Sequence, residues 1–313
     1  MRVPIVAVVG PTAVGKTRVA IEVAQRVGGE IISADSMQVY RGLDIGTDKV
    51  RSEDTGGIPH HMIDICDPDE QFSVADYQQR VYSLLPEIAG RGRLPMLVGG
   101  TGLYINAVID GYTFDTAEPD EAFRADLQRQ ARAEGAAGLH RRLAAVDPDR
   151  AAQIHPNDLR RIIRALERHQ QRTGEAPGTT IADAARPDLD PLLFGLNGPR
   201  GWLYDRINQR VEEQLAEGLV EETKQLLARG LPPGATALQA LGYKEIIPYL
   251  LGQVTLEEAA ERLKRNTRRF AKRQLTWFRR DPRIRWIETG QNRKMGDAVE
   301  DITKAIADRW QLG

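Results

Sequence analysis

Absences narrow the reading of this 313-residue chain before any motif does. Cys66 is its single cysteine, which excludes an internal disulfide framework and a cysteine-based structural zinc site and points to a reducing compartment. No charge excess is present either: 43 Lys and Arg stand against 44 Asp and Glu, so bulk charge predicts no polyanion partner, and any such partner must be argued from where the charges sit. Long hydrophobic runs are missing. The apolar N-terminal stretch is too short to cross a membrane and leads directly into a glycine-rich loop that a signal-peptidase cut would destroy, so a cytoplasmic protein is expected. The adjacent His60 and His61 have no carboxylate at a matching spacing, which makes metal ligation by them a weak reading. No internal repeat or low-complexity tract stands out. At 41% hydrophobic and 28% charged residues the chain is neither disordered nor fibrous, and its length exceeds the roughly 250 residues at which one core stops growing, so two lobes or a core with an insertion are expected.

What is present begins at Gly10-Pro11-Thr12-Ala13-Val14-Gly15-Lys16-Thr17, which satisfies G-x-x-x-x-G-K-T. A β-branched run, Val3 to Val9, precedes it, and Arg18 to Arg26 follows with Val19, Ala20, Val23 and Val27 at helical spacing. In a strand-loop-helix of this kind the backbone N–H groups point inward and the helix N-terminus adds positive potential. Lys16 brings a mobile cation, and the Thr17 hydroxyl is placed for a divalent ion. The motif names a ligand class, not a reaction.

Further along, Glu30 to Ser33 reads as a second strand running into Asp35, and Leu94 to Val98 as a buried strand ending in Gly99-Gly100-Thr101-Gly102. Ligands of open α/β sheets bind beyond the carboxyl ends of strands, so Asp35 and Thr101 belong on the rim of the phosphate loop. Residues 41 to 75 read as a polar connection and Ser73 to Ala89 as a surface helix. Between about 115 and 190 the sequence turns helical and Ala/Arg-rich, with helices over Pro119 to Glu134, Gly138 to Val146, and from Leu159 to before Gly174. Arg160, Arg161, Arg164 and Arg168 mostly share a face of the last. Gly174 to Leu189 reads as a loop. Leu192 to Leu196 returns to the sheet, and Arg206 and Arg210 follow as i and i+4 neighbours on a helix, able to face one anion together. After a break at Pro232-Pro233-Gly234, the small-residue-rich segment from Ala235 to Glu245 carries Tyr243 and Lys244 and reads as a place that admits and stacks a base. The helix from Leu256 to Arg280 interleaves Arg and Lys with Phe270, Trp277 and Phe278 and, after Glu261, has almost no carboxylates to neutralise it, the pattern of a polyanion-binding face. A last strand at Arg285 to Ile287 and a surface helix from Asp297 to Trp310 close the chain.

The fold expected is α/β: a P-loop NTPase-like parallel sheet flanked by helices, over 1–114 and 191–313, with a mainly helical insertion at 115–190. Three functions meet these residues. One is a transferase with a diphosphate leaving group and an RNA base as acceptor. A small-molecule kinase is the second, with Asp35 activating a hydroxyl. The third is an RNA-binding switch that hydrolyses nucleotide slowly. No apolar strand ends in the paired acids of a Walker B segment, which counts against an ordinary ATPase engine, and a kinase has no need of the terminal basic helix.

Seven segments, taken in order, resemble one family: Gly10 to Thr17, Ser33 to Tyr40, Gly42 to Lys49, Val98 to Tyr104, Asn157 to Arg161, Gln239 to Glu245 and Ala271 to Arg279. Together they are similar to the bacterial tRNA dimethylallyltransferases, also called tRNA isopentenyltransferases, along nearly the whole chain. Members move a dimethylallyl group from dimethylallyl diphosphate to N6 of adenosine 37 in tRNA. The resemblance implies that Asp35 is the general base, with Thr101, Lys16 and Arg210 also catalytic. Gly10 and Thr12 to Thr17 would bind the diphosphate, with Mg2+ as cofactor on Thr17. The tRNA contacts would be Asp35, Ser36, Met37, Gln38, Thr101, Arg124, Arg160, Arg161, Arg164, Gln239, Gly242, Tyr243 and Lys244, and the insertion would grip the anticodon stem-loop. Some members carry Arg where Gln239 and Lys244 stand, and Ser or Gly where Val14 stands. The target base must leave its stack. No membrane and no obligatory protein partner are implied, and a monomer is expected.

Overall fold

The computed structural model describes residues 2–114, 120–174, 188–231, 234–290 and 293–310, with 172–174 described as backbone alone. Most of the expected 174–189 loop and the Pro232-Pro233 break lie outside the described residues.

Two compact units divide the chain, residues 1–112 with 187–313 and residues 113–186. In the first, β1 (Val3–Val9), α1 (Lys16–Val27), β2 (Gly29–Ser33), a 3-10 turn at Ser52–Thr55, β3 (His60–His61), α2 (Val74–Gly90), β4 (Leu94–Gly99) and α3 (Gly102–Asp110) come first. In the second unit follow α4 (Glu121–Glu134), α5 (Ala136–Val146), α6 (Pro148–Ala152) and α7 (Leu159–Gly174). The first unit then resumes with β5 (Leu189–Asn197), α8 (Arg200–Glu217), α9 (Leu219–Ala228), a 3-10 turn at Ala237–Gln239, α10 (Tyr243–Leu250), α11 (Leu256–Phe278), β6 (Arg285–Glu288) and α12 (Met295–Trp310).

Among the described residues the strands form one sheet in the order β3-β2-β4-β1-β5-β6, and every pairing is parallel. Parallel strands are covered on both faces and so are apolar throughout, and β1 obeys this: Ile5 through Val9 are fully buried. Its side chains alternate between two cores. Val6 and Val8 pack with α1 and α12, whereas Ile5, Ala7 and Val9 pack with α2 and α3. The pair His60-His61, read from sequence as part of a polar connection, is instead the edge strand β3. Successive side chains of a strand point to opposite faces, and the two rings accordingly have different partners: His61 Nε2 meets Glu30 Oε2 at 2.8 Å, and His60 Nδ1 meets the Ile58 carbonyl at 2.8 Å.

The longest helix, α11, opens with a capping box between Thr255 and Glu258. Ala260, Leu263, Thr267, Ala271, Gln274 and Phe278 recur every three or four residues, with Ala259 beside them, as its buried stripe, which turns Arg262, Arg265, Arg269 and Lys272 outward. The second unit has a separate core in which Leu127, Leu139, Leu143, Ile154, Ile162 and Leu166 meet. Asp158 caps α7 by accepting the Arg161 N–H at 3.3 Å.

At the ends of β2 and β4 the backbones approach so closely that a side chain has no place. A Cβ on Gly99 would sit 2.2 Å from the Ala34 carbonyl oxygen and 2.4 Å from its carbon. Gly99→Ala therefore forces the two strand ends apart, at an expected cost of about 1–3 kcal/mol. Urea unfolding checks this against Gly90→Ala, whose new methyl meets nothing within 4 Å and leaves the midpoint unchanged or raised.

Candidate active site

Because β2, β4 and β1 are neighbours and run in one direction, the segments that leave them lie side by side at one edge: residues 34–40, 99–102 and 10–17. The 10–17 loop is shaped by three positive φ angles, 142° at Gly10, 64° at Ala13 and 99° at Gly15. Gly10 is required by contact as well, since a Cβ there would meet the Leu196 carbonyl oxygen at 2.4 Å. Successive amides thrown inward in this way make a concave anion site at the start of α1. Lys16 folds back over it, Nζ donating to the Pro11 carbonyl at 2.7 Å. Burial lowers its pKa to about 7, the positive charge of Arg210 acts in the same direction, and Asp35 opposes both.

From α8, Arg206 and Arg210 both reach the loop, as their spacing predicts. Arg206 Nε donates to the Ala13 carbonyl at 2.7 Å, and Arg210 donates to Thr12 Oγ1 at 3.3 Å while pairing with Asp48. Burial brings the Arg210 pKa down to about 10 against the pull of Asp35, Glu213 and Glu217. A guanidinium and an ammonium thus share a recessed site with Asp35 acting on both and Asp48 paired to the guanidinium.

Asp35 sits one turn beyond β2, its Oδ1 accepting the Met37 N–H at 2.8 Å in an Asx turn. The next amide, Ser36 N–H, donates to Thr101 Oγ1 at 3.0 Å, and the Thr101 N–H returns to the Ala34 carbonyl at 3.0 Å. Thr12, Asp35, Ser36 and Arg210 line a cavity of about 220 Å³. Ile207, Val211, Leu241, Leu263 and Phe270 give it hydrocarbon surface, and Gln214, Gln239, Lys244, Thr267 and Arg273 line it as well. The polar groups suit a phosphate ester, the apolar ones a small hydrocarbon.

Other expected residues are placed differently. Gln38 has its amide fully used inside the fold: Oε1 accepts from Ser33 Oγ at 2.8 Å, and Nε2 donates to the carbonyls of Thr47 and Asp48 at 3.0 and 3.2 Å. It therefore shapes the 43–48 loop instead of facing the cavity. Tyr243 is fully buried, its hydroxyl donating to Glu222 Oε1 at 2.5 Å, so it offers no ring face for a base, contrary to the sequence reading. Gly242 lies buried at the start of α10 with a φ of 97°. In the second unit Arg124 is committed to Glu167 by two hydrogen bonds of 2.8 and 2.9 Å, and Arg161 pairs with its own cap, Asp158. Arg160 and Arg164 are exposed on α7. Partial desolvation of the guanidinium lowers the Arg164 pKa, the charges of Arg168, Arg124 and Arg160 add to this and Glu167 opposes it, a like-charge crowding that an anion would relieve.

Thr17 is exposed on the first turn of α1, and among the described residues no group of three or more His, Cys, Asp or Glu could hold a metal. One hydroxyl beside a phosphate cradle fits Mg2+, which keeps several waters and is bound largely through substrate phosphate oxygens.

Sequence reasoning missed Gln274 and Asp48. Gln274 Oε1 accepts the Thr12 N–H at 2.9 Å and its Nε2 donates to the Gly100 carbonyl at 3.1 Å. Its signal was there: an amide inside the otherwise small or apolar stripe of α11, in step with Ala271 and Phe278. Asp48 carried no such signal, because its partner Arg210 lies far along the chain.

The family model described as IPP transferase matches residues 38–281, and that described as isopentenyl transferase matches residues 3–64. The chain is 53% identical over 310 residues to the tRNA dimethylallyltransferase of Symbiobacterium thermophilum, spanning 99% of this chain and 97% of the relative. To that of Geobacillus thermodenitrificans it is 48% identical, with 98% of each chain covered. Among solved structures, the full-length tRNA isopentenylpyrophosphate transferase of Bacillus halodurans superposes with a TM-score of 0.74 at 47% identity, covering 98% of this chain and 96% of that one. A eukaryotic dimethylallyltransferase acting on tRNA gives 0.76 at 27% identity, covering 98% and 80%. The phosphate loop, the Asp35 turn and Gln274 of α11 all fall within the matched regions, and the chain belongs to the IPP transferase family.

Proposed function

We propose that this chain transfers a dimethylallyl group from dimethylallyl diphosphate to N6 of adenosine 37 in the anticodon stem-loop of tRNA, releasing diphosphate. The observation that carries the proposal is the cavity itself, whose lining joins Arg210 and Thr12 of the phosphate side to Asp35 and to the hydrocarbon of Ile207, Val211, Leu263 and Phe270. The relatives' names supply the acceptor.

In this reaction the C1–O bond to diphosphate breaks, the bond from N6 to C1 forms, and N6 loses a proton. The exocyclic amine is a poor nucleophile because its lone pair is delocalised into the purine, so Asp35 accepts that proton as attack proceeds. Thr101, fixed by the Ser36 amide, orients the amine from between the Asp35 and phosphate loops. Lys16, Arg210 and the amides of residues 13–17 hold the charge that builds on the departing oxygen. Mg2+ on Thr17 would supply further neutralisation of the diphosphate. Ser36 and Met37 with Gln239 and Lys244 line the path of the flipped base, and Phe270 and Leu263 exclude water from the allylic carbon. Arg160, Arg161 and Arg164 of the insertion and the outward arginines of α11 take the tRNA backbone. The reading takes the chain to act as a monomer, and tRNA as acceptor supports a cytoplasmic place of action.

Asp35→Asn is expected to lower single-turnover transfer of labelled dimethylallyl by about 10²–10⁴-fold, with tRNA and diphosphate affinities within a few-fold of wild type; undiminished turnover would remove Asp35 as the base. A second expectation concerns Lys16. With a pKa of about 7 in the free site, Lys16 is mostly neutral at pH 8, and a bound polyanion restores its charge. Binding of inorganic diphosphate at pH 8 thus takes up nearly one proton more in wild type than in Lys16→Met, and wild-type affinity declines as pH rises above 7. Calorimetry in buffers of different ionisation enthalpy measures both. Finally, replacing Arg265, Arg269 and Lys272 together by Ala is expected to weaken tRNA binding and to flatten the log K against log salt slope by about 0.7–0.9 for each phosphate left unneutralised. An unaltered slope would make that helix face a merely solvated one.

A further inference from the structure

One buried side chain joins the two halves of this site without entering the cavity. Gln274, 5% exposed on the inner stripe of α11, accepts the Thr12 N–H of the phosphate loop at 2.9 Å and donates to the Gly100 carbonyl at 3.1 Å. A primary amide offers an acceptor and a donor on one rigid plane, and both are used here. The neighbouring positions are shaped to receive it: a Cβ on Gly100 would lie 2.0 Å from Gln274 Nε2. One turn further, Trp277 Nε1 donates to Asn106 Oδ1 at 3.1 Å, and its ring leaves no room for a Cβ on Gly102, which would meet Trp277 Cδ1 at 2.2 Å. Thr101 is therefore held on both sides by α11.

From Gln274 the hydrogen bonds run in both directions. On one side, the Thr12 amide is taken out of the anion cradle, which leaves the Thr12 hydroxyl to Arg210. On the other, Gly100 precedes Thr101, whose hydroxyl receives the Ser36 amide beside Asp35. The spacing between the loop assigned to the leaving group and the turn assigned to the amine is thus set by the length of one glutamine amide.

We propose that Gln274 is a positioning residue, which fixes the distance between the diphosphate loop and the Thr101-Asp35 acceptor loops and so sets the approach of N6 to the allylic carbon. The proposal rests on the transfer reaction assigned above. Displacements of the order of an ångström cost about 10²-fold in rate when reacting groups must be aligned, while each substrate still binds its own loop.

The test is single-turnover transfer from labelled dimethylallyl diphosphate to unmodified tRNA by wild type, Gln274→Met, which keeps the volume and removes both hydrogen bonds, and Gln274→Glu, which keeps the acceptor alone. We expect kcat to fall 10- to 100-fold in Gln274→Met and by less in Gln274→Glu. KM for the diphosphate, Kd for tRNA and the thermal midpoint stay close to wild type. A side chain that merely stabilised the fold would lower the thermal midpoint or raise KM and Kd with kcat intact, and either result overturns the positioning role. If Gln274→Met does not fold, the same comparison is made with Gln274→Glu, and an unaltered kcat there overturns the role. Absence of label in tRNA with wild type overturns the reaction and the role together, whereas wild-type transfer with an unaffected Gln274→Met overturns the role alone.

Discussion

Everything at this site depends on strand direction. With all described strands parallel, the carboxyl ends of β2, β4 and β1 fall on one edge about 4.8 Å apart, and what leaves them must share that edge. The order β2-β4-β1 puts Thr101 in the middle, between the carboxylate of Asp35 and the cations around the phosphate loop. Close packing of the strand ends then demands positions without side chains: Gly99 against Ala34, Gly10 against Leu196. These backbone contacts bring the strand ends together, and the Gln274 amide then spans the gap between the two loops that leave them.

The electrostatics follow from that crowding. Lys16 and Arg210 are recessed near each other, and burial and, for Lys16, mutual repulsion hold both below their ordinary pKa values. Asp35 offsets this in part, and Asp48 shares Arg210 from the solvent side. Positive charge kept under strain in this way interacts most favourably with a ligand that becomes more negative as it leaves, which is the behaviour of a diphosphate and not of a neutral alcohol.

Much of this was legible in the sequence, for identifiable reasons. The β1 strand and its loop announce themselves because a parallel strand is apolar throughout and the glycines of the loop have no substitute. Asp35 and Thr101 follow from the rule that places ligands at strand ends. What was not legible involves partners far apart or elements too short to have a period. The two-residue β3 and five-residue α6 carry no periodicity, although Asp147-Pro148 marks the start of the latter. Arg124 looks like a free cation until α4 and α7 pack and Glu167 takes it, 43 positions away. Tyr243 reads as an exposed platform among small residues because nothing local reveals that Glu222 receives its hydroxyl. A phosphate loop alone would also have suggested ATP. The apolar cavity wall and the basic α11 face redirect that reading, and both are assembled from residues beyond position 200.

The bond between Thr12 and Gln274 spans 262 positions of sequence. During synthesis at about 5–20 residues per second, the phosphate loop leaves the ribosome well before the helix that aligns it. Met295, whose Cε lies 1.9 Å from where a Gly15 Cβ would be, arrives later still. A nascent chain therefore carries the anion-binding motif for many seconds without a competent centre. The Thr12–Gln274 bond can form only once α11 has emerged, so the phosphate loop gains this partner late in synthesis.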